Sequence, residues 1–167
     1  MQWYYTQKPT AYTLARCRLF ADHSADSSSD EYARRNQHSL EKIKMDIYRG
    51  KVAEFMVYDY LTFKGNDTSL PDLEIYSASY KSFDADLVCN GLNVHVKSHL
   101  LNPTFPPSWV FQKNDKLTKG SDDYLALVLL DEDWNGRFCV GRARDFEYKP
   151  PIKQSLRSKV CIYAEGL

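Results

Sequence analysis

The sequence lacks an excess of charge of either sign, because 22 Lys and Arg residues balance 22 Asp and Glu residues. A strongly basic chain would indicate nucleic-acid binding by itself. Any contact of this chain with DNA or RNA would therefore depend on a local basic patch or on metal ions. The aromatic content is high, with 12 Tyr, 8 Phe and 3 Trp, which favours a well-packed domain and supplies rings that can stack on bases.

Cysteines are few, and membrane or export signals are missing. The four cysteines are far apart and form no CxxC pair, which argues against a zinc ribbon and a disulfide framework. No apolar run approaches the roughly 18 residues of a membrane helix. The N-terminal segment "MQWYYTQKPT" has neither the basic region nor the apolar run of a signal peptide. We expect a protein of the cytoplasm (the host's, if phage-encoded) with reduced cysteines and no membrane contact.

At 167 residues the chain has the length of one domain, spanning 1–167. Its first part predicts one helix, over Ser39–Leu61, with Ser39 as N-cap and apolar residues at three- and four-residue spacings. Gly50 within it indicates a kink or a close approach to a neighbouring element. The Ser-rich segment Asp22–Glu31 predicts a polar loop.

The periodicity then changes to short β-type runs. The first is a hairpin within Ser82–His99, and the later runs are Ser108–Gln112, Tyr124–Leu130, Arg137–Ala143 and Lys159–Glu165. Tyr124–Leu130 is apolar without alternation, as expected of a central strand covered on both faces. A short helix is predicted within Ile152–Lys159. These elements predict an α/β or α+β domain whose central mixed sheet of about five strands is flanked by helices.

The hairpin has the strongest local signal. Asn90–Gly91 between two β-type runs favours a type I′ turn, which needs positive φ at both central residues. The register that follows pairs Cys89 with Leu92, Leu87 with Val94, Asp86 with His95, and Asp84 with Lys97. It places polar groups on one face (Asp84, Asp86, His95, Lys97) and apolar groups on the other (Ala85, Leu87, Val94, Val96).

Two interpretations of the polar face are open from the hairpin alone. In one, Asp84 and Lys97 form an ordinary cross-strand ion pair and Asp86 hydrogen-bonds His95. In the other, Asp86 and His95 reach the same metal ion, since directly opposed residues have Cβ atoms roughly 4.5–5.5 Å apart.

The order of these residues resembles the PD-(D/E)xK nuclease superfamily, whose members have the restriction-endonuclease-like fold. That pattern is a helix bearing Glu, a strand with Asp, a turn, and a strand with an acidic-x-Lys triplet. Glu54 in "GKVAEFMVYDYL" matches the helical acid, Asp86 in "FDADL" matches the Asp, and "HVK" (residues 95–97) stands where the triplet belongs. "SWVFQ" looks like the following strand in some phage-type members, so the resemblance covers roughly 49–112.

The resemblance implies a divalent-metal-dependent nuclease that hydrolyses phosphodiester bonds, as a DNA endonuclease. Asp86, Glu54, His95 and the Val96 backbone carbonyl would hold Mg²⁺ or Mn²⁺, and Lys97 would stabilise the anionic transition state or orient the attacking water. Asp84 is a candidate ligand for a second ion, although an ion pair with Lys97 is the preferred interpretation.

His95 departs from the family, which has Glu or Asp at that position. Imidazole suits Mn²⁺ and later transition metals better than Mg²⁺. Three readings stay open: His95 is a neutral nitrogen ligand, it transfers protons beside a metal held by Asp86 and Glu54, or the site is inactive. The last reading gives a binding module that engages DNA or a protein partner through the same cleft. An interaction protein unrelated to nucleases is the third class.

A nucleic-acid surface is indicated only weakly. Seven Lys and Arg residues lie between 137 and 159, and three more lysines follow the "SWVFQ" strand, but such clusters are also typical of solvated faces. No helix-turn-helix or zinc-finger pattern is present. DNA is favoured over RNA, and two-strand cutting would call for a homodimer. The candidate nucleic-acid contacts are Gln112, Lys113, Arg142 and Arg144; Trp109 is expected in the core and His99 in solvent at a strand end.

Overall fold

The computed structural model describes residues 2–6, 8–33, 39–75, 85–101 and 106–164, and within 26–33 it describes the backbone alone. The chain is an α+β protein, and its described residues include two α-helices, α1 (Ala11–Ala33) and α2 (Leu40–Phe63). Its strands are β1 (Tyr4–Thr6), β2 (Leu87–Cys89), β3 (Leu92–Leu100), β4 (Ser108–Gln112), β5 (Tyr124–Leu130), β6 (Gly136–Arg142) and β7 (Lys159–Tyr163).

Five strands form the main sheet in the order β1-β6-β5-β3-β2, in which β3 and β5 run parallel and the other neighbours are antiparallel. β5 lies at the centre, and its residues from Leu125 to Leu130 are all buried. This confirms the prediction of a central strand, because a strand covered on both faces needs no polar alternation. The helices cover one face of the sheet, where Val94, Val96 and Val128 join the core of α2.

The membership of the sheet differs from the prediction. β4 and β7, both expected in the central sheet, pair with each other in a separate two-stranded sheet. Trp109, Phe111 and Ile162 on this small sheet pack against the second face of the main one. The edge position is taken instead by β1, which was not predicted because three residues are too few to show a period of two. Tyr4 anchors it by packing on Phe138.

Helix α2 follows its prediction closely. Ser39 is the N-cap, and its side chain accepts a hydrogen bond from the Lys42 N–H at 3.4 Å. The expectation at Gly50 is wrong: α2 runs through it without a break, and a Cβ there would meet nothing within 4 Å. The helix predicted within Ile152–Lys159 shrinks to one 3-10 turn at Gln154–Leu156.

The loop predicted over Asp22–Glu31 is wrong, because this segment continues α1. α1 buries Cys17, Ala21 and Ala25 at four-residue intervals, and the first two of these belong to the same core as Val52 and Phe55 of α2. Small side chains let the two helices approach closely. Tertiary packing thus outweighs the low helix propensity of the Ser-rich segment.

The hairpin prediction is confirmed in its turn and in the pairs Leu87–Val94 and Cys89–Leu92, whereas Asp86 and His95 are not among the paired residues and Asp84 lies outside the described ones. Asn90 and Gly91 have φ of 49° and 77°, and the paired residues are Leu87–Val94, Val88–Asn93 and Cys89–Leu92. Leu87 and Val94 face the core as expected. Pairing of β2 with β3 ends at Leu87–Val94, so β3 continues beyond its hairpin partner.

Candidate functional site

Glu54 on α2 is a buried acid, only 6 % exposed. Its Oε2 lies 2.7 Å from Nζ of Lys51, one helical turn earlier. Burial raises the pKa of Glu54 to about 7; the negative charge of Asp86 also raises it, whereas Lys51 and Lys97 lower it. The sequence places this acid between Ala53 and Phe55, and both of these are buried as well.

Asp86 lies immediately before β2, at the mouth of the hairpin. Its Oδ2 accepts a hydrogen bond of 2.7 Å from the backbone N–H of Val96. Val96 is two residues beyond Val94, the last β3 residue paired with β2. The carboxylate therefore binds the β3 backbone just past the point where strand pairing ends, and this contact fixes its position.

The charges of two other predicted site residues act on Glu54, and a fourth residue, Lys51, was not predicted. α2 packs against β2 and β3, so that Glu54 experiences the charges of Asp86 at the hairpin mouth and Lys97 on β3. We call Lys51, Glu54, Asp86 and Lys97 the Glu54 cluster. It contains two carboxylates and two ammonium groups, and Lys97 is its exposed member.

His95 forms a second group, the Asp123 cluster, with Asp123, Lys116 and Asn93. Its Nε2 lies 3.1 Å from Oδ2 of Asp123, and Nζ of Lys116 lies 3.0 Å from the same oxygen. Asn93 donates to Oδ1 of Asp123 at 3.4 Å. Burial acts to raise the pKa of Asp123, but the hydrogen bonds from Lys116 and His95 outweigh it and hold that pKa below its ordinary value.

Asp123 was missed because its partner is distant in sequence. It directly precedes β5, and the parallel pairing of β3 with β5 brings this acid beside His95. The sequence shows an acid before an apolar strand but not which strand lies next to it. Lys51 carried a local signal, since residues three apart on a predicted helix are neighbours.

Two further ligand predictions have different outcomes. Asp84, the candidate for a second ion, lies outside the described residues. Val96 contributes its N–H to Asp86, and the role of its carbonyl as a metal ligand stays a prediction.

The side chains around Glu54 and Asp86 offer few ligands for a divalent ion. Among the described residues, no group of three or more His, Cys, Asp or Glu side chains is arranged to hold a metal. Mg²⁺ usually keeps several waters and binds through one or two carboxylates together with substrate phosphates. Glu54 and Asp86 are two carboxylates, and the negative charge of Asp86 raises the pKa of Glu54. They fit a largely hydrated ion and not a site formed by protein ligands alone.

The predicted nucleic-acid contacts are spread over two edges. Gln112 and Lys113 are exposed at the end of β4. Arg142 and Arg144 both pair with Asp122, at 3.2 Å and 2.7 Å, so an acid already offsets part of their charge. These exposed ion pairs are weak and would exchange readily with a phosphate.

Trp109 and His99 lie between the two sheets. Trp109 is 3 % exposed, as predicted. His99 was expected in solvent, and this is wrong: it is partly buried, with its ring centroid 6.1 Å from that of Trp109. His99 is partly buried because β4, which follows β3 in the chain, places the indole of Trp109 against the end of β3.

Together these features define a class of site: a buried carboxylate on a helix and a half-buried one at the mouth of a hairpin, with lysines nearby, in a mixed α+β fold. Comparison with known proteins adds nothing to this definition, since no family model, no curated protein and no solved structure matches the chain significantly. In the part of the chain that the structure describes, neither helix is long and apolar enough to cross a bilayer.

Proposed function

We propose that this protein is a divalent-metal-dependent nuclease that hydrolyses phosphodiester bonds in DNA as an endonuclease, on a restriction-endonuclease-like fold. The observation that carries the proposal is the Glu54 cluster. An acid on α2, an acid before β2 and a lysine on β3 interact in the chain order that the nuclease pattern requires. If the polar face of the hairpin were only solvated, it would not require the buried acid Glu54 on the neighbouring helix.

The chain's own residues have distinct tasks in this reaction. A bound divalent ion supplies an acidified water and neutralises charge on the phosphate oxygens. Glu54 and Asp86 would hold that ion, and the backbone hydrogen bond from Val96 keeps Asp86 oriented. The compact ammonium of Lys97 stabilises negative charge that grows on the phosphate oxygens in the transition state.

Asp123 determines what His95 contributes. Because Nε2 of His95 is engaged by Asp123, Nδ1 is the ring nitrogen left to bind an ion or transfer a proton. A carboxylate behind the imidazole is the usual support of a histidine that ligates a metal. This favours the ligand and proton-transfer readings of His95 over a decayed site.

A second candidate function is a binding module that keeps the fold without catalysis. Two observations favour it: the described residues contain no three-ligand metal group, and Lys51 already neutralises Glu54. Such a module would bind DNA or a protein partner whether or not a divalent ion is present.

Plasmid cleavage tests the proposal. Supercoiled plasmid is incubated with the protein in EDTA, Mg²⁺, Mn²⁺ or Ni²⁺, alongside Asp86→Asn and the control Asp133→Asn, an exposed acid in the β5–β6 turn. We expect divalent-ion-dependent cleavage that Asp86→Asn abolishes and Asp133→Asn retains. Equal cleavage in EDTA, or full activity of Asp86→Asn, overturns the metal mechanism. DNA binding without cleavage under all conditions favours the binding module.

The products also report on assembly and substrate. A monomer with one site nicks the plasmid, whereas the proposed homodimer linearises it in one encounter, with a rate that depends on protein concentration. An RNA of matched sequence should be cut more slowly than the DNA. We place this activity in the cytoplasm, that of the host if the chain is phage-encoded.

A further inference from the structure

Lys51 binds the carboxylate of Glu54 that a divalent ion would need. Its Nζ lies 2.7 Å from Oε2, and both side chains are largely buried. Hydrogen bonds between an ammonium and a carboxylate are charge-assisted and roughly twice as strong as neutral ones. A divalent ion bound to the same carboxylate would lie next to this ammonium, and the two positive charges would repel each other.

The ammonium of Lys51 is held between the two helices but is not locked there. On its other side, Nζ lies 5.2 Å from the ring centroid of Phe20 on α1, a distance at which the ring attracts a cation. The side chain keeps some exposure to solvent, and its four-carbon stem is flexible. Rotation of this stem can move the ammonium from the carboxylate to water without moving the helix.

The formal charges of the Glu54 cluster balance while Lys51 is in place, because two ammonium groups offset two carboxylates. Asp86 is bound by the backbone N–H of Val96, which carries no net charge, so this contact does not neutralise it. A neutral cluster attracts a cation only weakly. Departure of Lys51 leaves the cluster with a net negative charge, which favours a cation.

The metal-free protein nevertheless needs Lys51. A buried carboxylate without a partner costs several kcal/mol by the usual order of magnitude, ~3–5 kcal/mol when one member of a buried pair is removed. The same lysine thus stabilises the fold when no ion is present and opposes an ion that arrives. These two effects have a common cause, the short contact between Nζ and Oε2.

We propose that Lys51 is an internal counter-ion of Glu54 that a divalent ion displaces when it binds, so that this lysine determines the metal affinity of the site. This inference rests on the proposed function for the existence of the metal site. Lys51 acts through Glu54 and is a positioning residue, which contacts neither the phosphate nor the attacking water.

Mn²⁺ binding to the full chain without DNA tests the proposal. Electron paramagnetic resonance of free Mn²⁺ gives the affinity at pH 8 for the wild type, Lys51→Gln, Lys51→Arg and a control, Lys44→Gln. Lys44 lies on the same helix and pairs with Asp22 and Glu41, so its replacement changes the net charge equally. We expect Lys51→Gln to bind Mn²⁺ about tenfold more tightly, the scale on which residues beside metal ligands change affinity.

The other variants separate competition from net charge. Lys51→Arg keeps a competing cation and should bind Mn²⁺ no more tightly than the wild type, and Lys44→Gln should match the wild type. Adding Glu54→Gln to Lys51→Gln should abolish the gain. Equal gains in Lys51→Gln and Lys44→Gln, or no gain in Lys51→Gln, overturn the proposal.

A second readout follows Lys51 in the wild type and does not depend on how well Lys51→Gln folds. In the ¹⁵N-labelled full chain, a buried and hydrogen-bonded ammonium is protected from exchange with water, and its resonance is assigned as the one that Lys51→Arg lacks. Mg²⁺ should remove this resonance, because the displaced ammonium exchanges its protons with water. In Asp86→Asn, which lacks the second carboxylate, the resonance should persist. Persistence throughout the Mg²⁺ titration of the wild type overturns the displacement.

The role of Lys51 and the nuclease function fail separately. If Lys51→Gln gains Mn²⁺ affinity but no metal supports plasmid cleavage, the proposed function fails and the role of Lys51 stands. If cleavage requires a divalent ion and Lys51→Gln binds Mn²⁺ as the wild type does, only the role of Lys51 fails.

Discussion

Lys51 and Glu54 form an ion pair in the interior of the protein, with 2.7 Å between Nζ and Oε2 and side-chain exposures of 16 % and 8 %. Taking both charges out of water costs free energy, and the attraction between them offsets part of that cost only while both partners are present. A lysine that already neutralises the acid also competes with any cation drawn to the same oxygen. The pair therefore links the stability of α2 to the chemistry of the site.

Lys51→Met should destabilise the protein by about 3 kcal/mol at pH 8, because it leaves an unpaired buried carboxylate. Urea unfolding measures the loss, with Lys119→Met, at an exposed lysine, as the control. Adding Glu54→Gln to Lys51→Met should restore most of the stability. If both lysine variants unfold at the same urea concentration, the pair contributes nothing.

Relative to the wild type, the Glu54→Gln variant should have a free energy of unfolding that increases as the pH rises. Burial raises the folded-state pKa of Glu54 to about 7 from the ordinary value of 4.5. The folded state thus binds more protons at Glu54 between those values, so the contribution of this group to stability is largest below about pH 4.5 and is lost as the pH rises through 7. Relative to the wild type, Glu54→Gln should gain roughly 1–3 kcal/mol between pH 5 and pH 8. Urea unfolding at several pH values checks this, and a pH-independent difference contradicts the burial of an ionisable acid.

Asp123→Asn should lower cleavage by about 10- to 100-fold, because His95 loses the carboxylate that orients it. The control is Asp122→Asn, which removes the neighbouring acid that pairs with Arg142 and Arg144. The cleavage rate and the Mn²⁺ affinity from calorimetry are measured for both. Reduced Mn²⁺ affinity assigns His95 as a ligand, whereas a slower rate at unchanged affinity assigns it to proton transfer. Full activity of Asp123→Asn removes His95 from the mechanism.

Gly50→Ala and Gly91→Ala should have opposite effects on stability. A Cβ at Gly50 meets no atom, and alanine favours a helix interior by about 0.5–1 kcal/mol. Gly91 has φ of 77° in the hairpin turn, where an L side chain is strained by about 1 kcal/mol. Thermal unfolding compares the two. Stabilisation by Gly91→Ala would contradict the type I′ turn.

The elements that sequence reasoning predicted well are those whose signals are local. The turn at Asn90–Gly91 determines its own register, and the cap at Ser39 lies next to the helix it starts. The loop predicted over Asp22–Glu31 is wrong because this segment continues α1 and buries Ala25, which a Ser-rich composition does not reveal. The pairing of β4 with β7 and the parallel neighbours β3 and β5 are equally non-local.

The same division applies to the site. Glu54, Asp86 and Lys97 follow from one helix and one hairpin, so short-range patterns were enough to select them. The contact between His95 and Asp123 depends on which strand adjoins β3, and no pattern around either residue encodes that choice.

The partnership of β4 and β7 has a consequence for protein synthesis. β4 leaves the ribosome some fifty residues before its partner, since Phe111 pairs with Val160. At ordinary elongation rates of roughly 5–20 residues per second, the aromatic side chains of β4 wait several seconds for the strand that completes their layer. In that interval these side chains form an exposed hydrophobic surface that chaperones and other nascent chains can bind. Ribosomes stalled after β6 should therefore carry a chain with its helical side assembled and its aromatic side uncovered.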